Sequence, residues 1–413
     1  MPETNYVLFR DLLAETKDGD WGKGDPQDGH APAHVIRGTD FSEVRLGRVS
    51  TVPLRYLPEK TMSRRLLRTD DILIETAGGS RDRPTGRTVL ITRGVLDAFP
   101  GDVTCASFAR FLRVDPEAAD PRYVYWYLQH LYARGDMWTH QVQHTGVARF
   151  QFTRFSATEM VPLPSRITQQ AIAATLGVLD DKIAVNERIA ATYEQLLQCR
   201  FTELGFSEEP GEGKAVVITD LVEFNPKLSK PSAEEPVYVD MAALQTSRAS
   251  IPVWTRRAPK SGPRFMNGDT LLARITPCLE NGKTGYVDFM QDGEVGLGST
   301  EFIVLRSRPG VPAELSYFLA RDGRFREHAI RNMVGTSGRQ RVSAADAANY
   351  FVNRPQADAL AAFGRDAEAA FAHMKSLQGE NRNLVALRET LLPQLMTGRL
   401  RVKDAEKIAE DHV

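Results

Sequence analysis

Two stretches of the chain carry apolar residues spaced alternately four and three apart, and the segment before each stretch alternates apolar and polar residues in short runs. From Pro164-Ser165 to about residue 204 the series is Ile172, Leu176, Leu179, Ile183, Asn186, Ala190, Tyr193 and Leu197. That spacing predicts a long helix with a heptad seam rather than a plain amphipathic face. After Pro355 it returns at Leu360, Phe363, Ala367, Ala370, Met374, Leu377, Asn381, Leu384, Arg388 and Leu391, and Pro393 and Thr397-Gly398 supply stop signals. Asn186 and Asn381 both fall on seam positions, where a polar residue costs stability and fixes register. Two such helices pack most economically as an antiparallel coiled coil about a pseudo-twofold axis.

The segments before the helices read as strands separated by turns. In 1–163 the runs Asp71-Ile-Leu-Ile-Glu-Thr, Arg87-Thr-Val-Leu-Ile-Thr and Phe108-Ala-Arg-Phe-Leu-Arg-Val predict strands, and Asp120-Pro121 opens a helix around 123–132. In 211–354 strands are expected near 216–218, 269–274 and 301–306, with a helix near 312–319 that an Arg-rich stretch extends. The halves also repeat one another. Thr69–Ile74 answers Asn267–Leu272, Leu112-Arg113 answers Leu305-Arg306, Thr145-Gly146 answers Ser337-Gly338, and Asn186 answers Asn381, at offsets of 192–198 residues. The predicted fold class is α+β: mixed globular segments at 1–163 and 206–354, helical spacers at 164–205 and 355–400, and a tail at 401–413.

Composition narrows the function. At 413 residues, 42% hydrophobic and 25% charged, the chain has room for two ordinary domains. No apolar run approaches the ~18–20 residues of a membrane span, and the first residues lack a signal-peptide layout. The three cysteines stand apart without a CxxC pair, which disfavours a zinc site or a disulfide framework and suggests buried thiols in a reducing cytoplasm. The net charge is −1, yet the charges are unevenly placed. Nine Lys/Arg face five acids over 55–93, seven face two over 248–283, and six face two over 321–341. Basic clusters in both globular segments suit a DNA reader on a neutral scaffold.

Motifs for catalysis are missing: no P-loop, no dinucleotide fingerprint, no adenine-methylating Asn/Asp-Pro-Pro-aromatic loop, and scattered histidines. Chemistry for phosphate and base contact remains. The Gly-rich basic loop Gly78–Arg87 carries Ser80, Arg81, Arg83, Thr85 and Arg87, and its turn-rich counterpart at 277–285 carries Lys283. Glycines let backbone N–H groups approach phosphate, and arginine forks grip phosphate or read guanine. A second matched pair of loops presents Gln143, Thr145 and Arg149 in one half and Thr336, Ser337, Arg339, Gln340 and Arg341 in the other, where a structural supporting loop is the rival reading. Trp21 and Lys23 form a Gly-rich candidate in the first half only, and Arg37, Arg264 and Arg274 complete the DNA-binding set. The helix–helix seam set is Ile172, Leu176, Leu179, Ile183, Asn186, Tyr193, Leu197, Phe363, Met374, Leu377, Asn381, Leu384 and Leu391. A helix of about 35–40 residues would hold two readers about 50–60 Å apart, or about one and a half turns of B-DNA.

At these residues the chain resembles the specificity (S) subunit of type I restriction-modification systems. Thr16–Gly24, Ile36–Phe41 and Gln151–Phe155 are similar to one class of target-recognition domain. Phe265–Cys278, Gly298–Phe302 and Gly335–Arg341 resemble another class. Leu179–Asn186 and Leu391–Gly398 look like the family's central and distal helical regions. The resemblance implies a non-catalytic subunit that reads an asymmetric bipartite site in double-stranded DNA. It further implies recruitment of two methyltransferase (M) subunits and, in a full system, restriction (R) subunits. S-adenosylmethionine, and ATP with Mg²⁺, would bind those partners and not this chain, and no metal site is expected here. A coiled-coil protein-interaction adaptor is the alternative, and a DNA enzyme with its own active site is a third reading.

Overall fold

The computed structural model describes residues 5–410 except 80–82, 145–146, 214, 259–260 and 337, and the side chain of His144. The chain folds as two compact units, one made of 1–188 with 380–413 and the other of 189–379. Each long helix, Arg166–Glu203 and Ala357–Met396, contributes one part to each unit.

The two units repeat a strand order. The first holds an antiparallel sheet ordered Leu13–Asp18, Ala109–Val114, Ile72–Glu75, Thr88–Leu90. The second holds Val222–Phe224, Phe302–Ser307, Asp269–Ala273, Thr284–Tyr286 in the same order. Each unit adds a smaller sheet whose middle strand pairs parallel on one side and antiparallel on the other. In the first, His30–Ile36 lies between Val103–Cys105 and Leu54–Pro58. In the second, Val237–Val239 lies between Gly296–Gly298 and Thr255–Arg256, with Arg264–Phe265 beyond.

One ion pair is built twice at the start of the central strands. Arg113 Nη2 meets Asp71 Oδ2 at 2.8 Å and Arg306 Nε meets Asp269 Oδ1 at 2.7 Å, with both aspartates buried. Each aspartate also accepts the backbone N–H three residues earlier, from Arg68 at 2.7 Å and Met266 at 2.8 Å. The residue before each lies in the left-handed region, Asp70 at φ 66° and Gly268 at φ 89°. Aspartate tolerates that region because its short polar side chain bonds locally, and glycine because it has no Cβ. Burial pushes both aspartate carboxyls above the usual range, against the pull of their arginines. Such a pair fixes geometry more than it adds stability.

The helices pack on the globular parts and on each other. In the first unit Ile172, Leu176, Leu179 and Ile183 share an apolar cluster with Leu384, Leu391, Leu392 and Leu395 and with the helix Pro121–Arg134. Asn186 is buried and its amide donates to Asn381 Oδ1 at 2.9 Å and Glu380 Oε2 at 2.7 Å, while the Asn381 amide donates to Glu187 Oε1 at 3.1 Å. Asp180 pairs with Arg388 and, at 2.6 Å, with Arg45 of the globular part. In the second unit Leu197 and Phe201 cluster with Phe363, Ala367, Ala370 and Phe371. There Tyr193 Oη lies 3.1 Å from His373 Nδ1, and Arg200 meets Asp366 at 3.7 Å. Within each unit one residue number rises as its partner's falls, so the helices run antiparallel.

Several expectations change. The buried face is wider than a two-position seam, since Ala173, Phe371, Leu392 and Leu395 are buried too, while Tyr193 and Met374 are only half-buried. Each helix covers a globular core as well as its partner, and that needs a broader stripe. The Arg-rich stretch after 319 does not extend the helix Leu315–Arg321. Asp322 breaks it and caps a new one, Gly323–Arg331, by accepting from the N–H groups of Arg324 and Phe325 at 3.0 Å. The distal helix runs through Pro393 to Met396 and stops at Gly398, φ 68°. In the last turn proline loses one backbone bond, not a whole ladder. The expected tail contains a helix, Val402–Glu410, whose Ala405 and Ala409 enter the first unit's core. Of the cysteines only Cys105 is buried, its thiol pushed up to about 12, and Cys199 is exposed on the outer face of its helix.

Replacing Arg306 by Met strands a buried carboxylate and should cost about 3 kcal/mol in urea unfolding of the second unit. The double change D269L/R306M should return much of that loss. Replacing Asn186 alone by Leu should cost about 1–3 kcal/mol by stranding Asn381, whereas N186L/N381L together should cost less, read as melting temperatures.

Candidate nucleic-acid interface

In each unit the chain leaving the central strand meets a second loop from far along the sequence. In the first, Ala77-Gly78 pairs antiparallel with the hairpin Gln141–His144/Val147–Phe150, matching Ala148 to Gly78 and Arg149 to Ala77. The described parts of the two loops singled out in that half therefore meet. Its base is tied down. Thr85 N–H donates to Gln141 Oε1 at 3.0 Å, Thr85 Oγ1 donates to Glu75 O at 3.1 Å, and Tyr132 Oη donates to Pro84 O at 3.2 Å. A side chain at Gly79 (φ 75°) would meet Arg83 O at 2.9 Å, so that turn requires glycine.

In the second unit the strand end at Ile275 and Thr276 meets Val334–Arg341. Ile275 and Val334 each bridge to Arg341, and Thr276 N–H donates to Gln340 O at 3.1 Å. Gln340 N–H returns a bond to Thr276 Oγ1 at 3.1 Å. Arg341 grips Glu301 through two nitrogens at 2.8 and 2.7 Å, which holds the Glu301 carboxyl below its usual range. A side chain at Gly335 would meet Arg339 O at 2.9 Å.

The candidate residues divide by what they already hold. Arg83, Gln143, Arg149, Thr336 and Arg339 are exposed on these loops. Thr85 is fully buried, and Arg87 is bound to Glu75 at 2.7 Å and to Gly38 O at 2.7 Å. Arg37 is bound to Asp40 at 2.8 Å and to Thr51 O at 3.0 Å. Lys283 donates to Met241 O at 2.9 Å and Arg264 to Leu228 O. Gln340 is half-buried, and Arg274 Nε is buried with no partner among the described residues. Ser80, Arg81, Thr145 and Ser337 lie outside the described residues. The internally bonded arginines shape the loops because planar forks join several carbonyls and carboxylates at once. Trp21 and Lys23 lie elsewhere, on a turn clipped to the strand Leu54–Pro58 through Lys23 and Tyr56. Arg55 lies 4.4 Å over the Trp21 ring, and Arg257 lies 3.6 Å over Tyr238 in the second unit. Sequence reasoning missed both stacks because partners 34 and 19 residues apart carry no local pattern. Among the described residues no cluster of His, Cys, Asp or Glu could hold a metal, and no helix is long and apolar enough to cross a membrane.

Comparison with known proteins bears on this geometry. The chain is 27% identical over 175 residues to the Type I restriction enzyme EcoAI specificity subunit of Escherichia coli. It is 28% identical over 158 residues to the EcoEI specificity subunit of the same organism. Over those stretches the chain is similar to type I restriction specificity subunits. The matches cover 38% and 36% of this chain and only 29% and 26% of those specificity subunits. Its fold is that of the type I restriction-modification S subunit from M. genitalium, with TM-score 0.54 and 14% identity over 96% of this chain and 97% of that one. No family model matches the chain.

Because Glu301 ionises more readily beside Arg341, that contact adds stability above the ordinary glutamate range, ~pH 4.3, and loses it as pH falls through the lowered folded value. Amide exchange at 338–341 should therefore rise, relative to the core, as the pH falls below the ordinary glutamate range. E301Q should show the faster exchange already at neutral pH.

Proposed function

We propose that this chain is the non-catalytic DNA sequence-recognition subunit of a type I restriction-modification complex. The observation that carries this reading is the recurrence in both units of one strand order with one loop pairing, presenting different exposed side chains. Arg83, Gln143 and Arg149 face solvent in the first unit, and Thr336 and Arg339 in the second. Arginine and glutamine forks suit guanine and adenine edges in the major groove. Two readers with different contacts would recognise an asymmetric, bipartite site in double-stranded DNA. The domain limits proposed are 1–163 and 206–354 for the readers, with 164–205 and 355–400 as an antiparallel coiled coil.

The helical segments would recruit two methyltransferase subunits and, in a complete system, restriction subunits. A groove of about 290 Å³ between the helices of the second unit, where Leu196 is half exposed beside Tyr193 and His373, supports a protein partner there. S-adenosylmethionine, ATP and Mg²⁺ would reside on those partners, and the complex would work in the cytoplasm against foreign DNA. The same groove is what favours the second reading, a protein-interaction adaptor without DNA contacts.

The test is methylome mapping of a host expressing this chain with its methyltransferase subunit. A bipartite methyladenine motif is expected; methylation at a continuous motif, or none, would sink the reading. Arg83→Ala and Arg149→Ala should each weaken binding to the motif by about 1–3 kcal/mol. An adaptor would bind DNA weakly, with little dependence on salt.

A further inference from the structure

Several arginines in or beside the sheets are held by carboxylates, as Arg87, Arg110, Arg113, Arg306 and Arg341 are. Arg55 and Arg257 are different. Among the described residues neither pairs with a carboxylate, yet each guanidinium carbon lies over an aromatic ring, 4.4 Å from the centroid of Trp21 and 3.6 Å from that of Tyr238. Arg55 is further fixed by its Nε donating to Trp21 O at 3.2 Å. Among the described residues its outer nitrogens carry no bond, and Arg257 forms no side-chain hydrogen bond or ion pair.

Both arginines belong to corresponding parts of the repeated topology, one on an edge strand and one just past the end of its counterpart. Arg55 lies on Leu54–Pro58, the antiparallel edge strand of the smaller sheet in the first unit. Arg257 directly follows Thr255–Arg256, the antiparallel edge strand of the corresponding sheet in the second. The rings come from opposite sides. Tyr238 belongs to the middle strand, whereas Trp21 sits on the turn bridged to the outer side of the edge strand. That turn is built for the contact: Gly22 has φ 64°, and a side chain there would meet Tyr56 O at 2.6 Å. Asp20 Oδ1 accepts from Gly22 N–H at 3.0 Å. Trp21 is 36% exposed and Arg257 is exposed, so both stacks face solvent.

An unpaired guanidinium immobilised on a ring has lost rotamer freedom before any ligand arrives and keeps its outward donors unfilled. Planar paired donors with full charge match a phosphate diester. We propose that Arg55 on Trp21 and Arg257 on Tyr238 are phosphate clamps. In each unit the edge of the smaller sheet holds the DNA backbone while the paired loops read bases. The proposal rests on the DNA-recognition reading above and adds residues and a division of labour to it.

The experiment measures binding of the full chain, with its methyltransferase partner, to a duplex carrying the mapped motif and to a scrambled duplex, across a salt series. R55A and R257A should weaken both duplexes by the same factor and lower the salt slope by about 0.9 per lost contact. R55K and R257K should keep the slope, and W21L should weaken both duplexes without changing it. Loss confined to the motif duplex would make these residues base readers and overturn the clamp, as would unchanged affinity and slope in well-folded variants. If the wild-type complex binds neither duplex, the recognition reading itself fails; if it binds and the variants match it, only the clamp fails.

Discussion

Each unit is organised around one buried aspartate held by one arginine from the neighbouring strand. Asp71 with Arg113, and Asp269 with Arg306, fix where the central strand begins and which residue of the next strand lies beside it. A one-residue slip would turn every side chain to the wrong face and would strand a charge in the interior. Because the strand start is fixed, so is the point where the strand ends and the candidate loop departs. The position of Arg83 or Thr276 relative to the opposite loop follows from that register.

The duplication is therefore uneven in a physically sensible way. The ion pair, the left-handed residue before it, the strand order and the buried asparagines recur. The loops share a pairing but not a chemistry: a strand pair with exposed Gln143 and Arg149 in one unit, and a turn held by Arg341 on Glu301 in the other. Framework positions are constrained by burial, where an error costs several kcal/mol, and exposed loop positions are not.

Much of the fold was legible in the sequence because periodicity reports burial. The helix at 166–203, the strands at 72–75 and 269–273, and the burial of Asn186 and Asn381 all follow from it. The break at Asp322 was missed because an Arg-rich helix face hides a capping signal, and the helix 402–410 because nine residues are too few for a periodic signal to stand out. At the candidate site, the sequence singled out the loops but not which of their side chains the fold already engages. Arg37, Arg87 and Arg341 look like ligand-binding arginines until their carboxylate partners, brought by the fold, are visible. Arg55 and Arg257 were invisible for the converse reason, since their distinction lies in lacking such partners among the described residues.

The second unit is one continuous stretch of chain, whereas the first needs residues from both sides of it. Leu384, Leu391, Leu392, Leu395, Ala405 and Ala409 complete the apolar cluster begun by residues before 188. During synthesis on the ribosome, domains fold as their residues emerge. The order of completion is then the reverse of the order of the globular segments: 189–379 can close while the earlier unit still waits for its last helical strip. Until that strip emerges, the apolar face of the central helix near Leu176 and Leu179 is the surface a nascent-chain chaperone would meet.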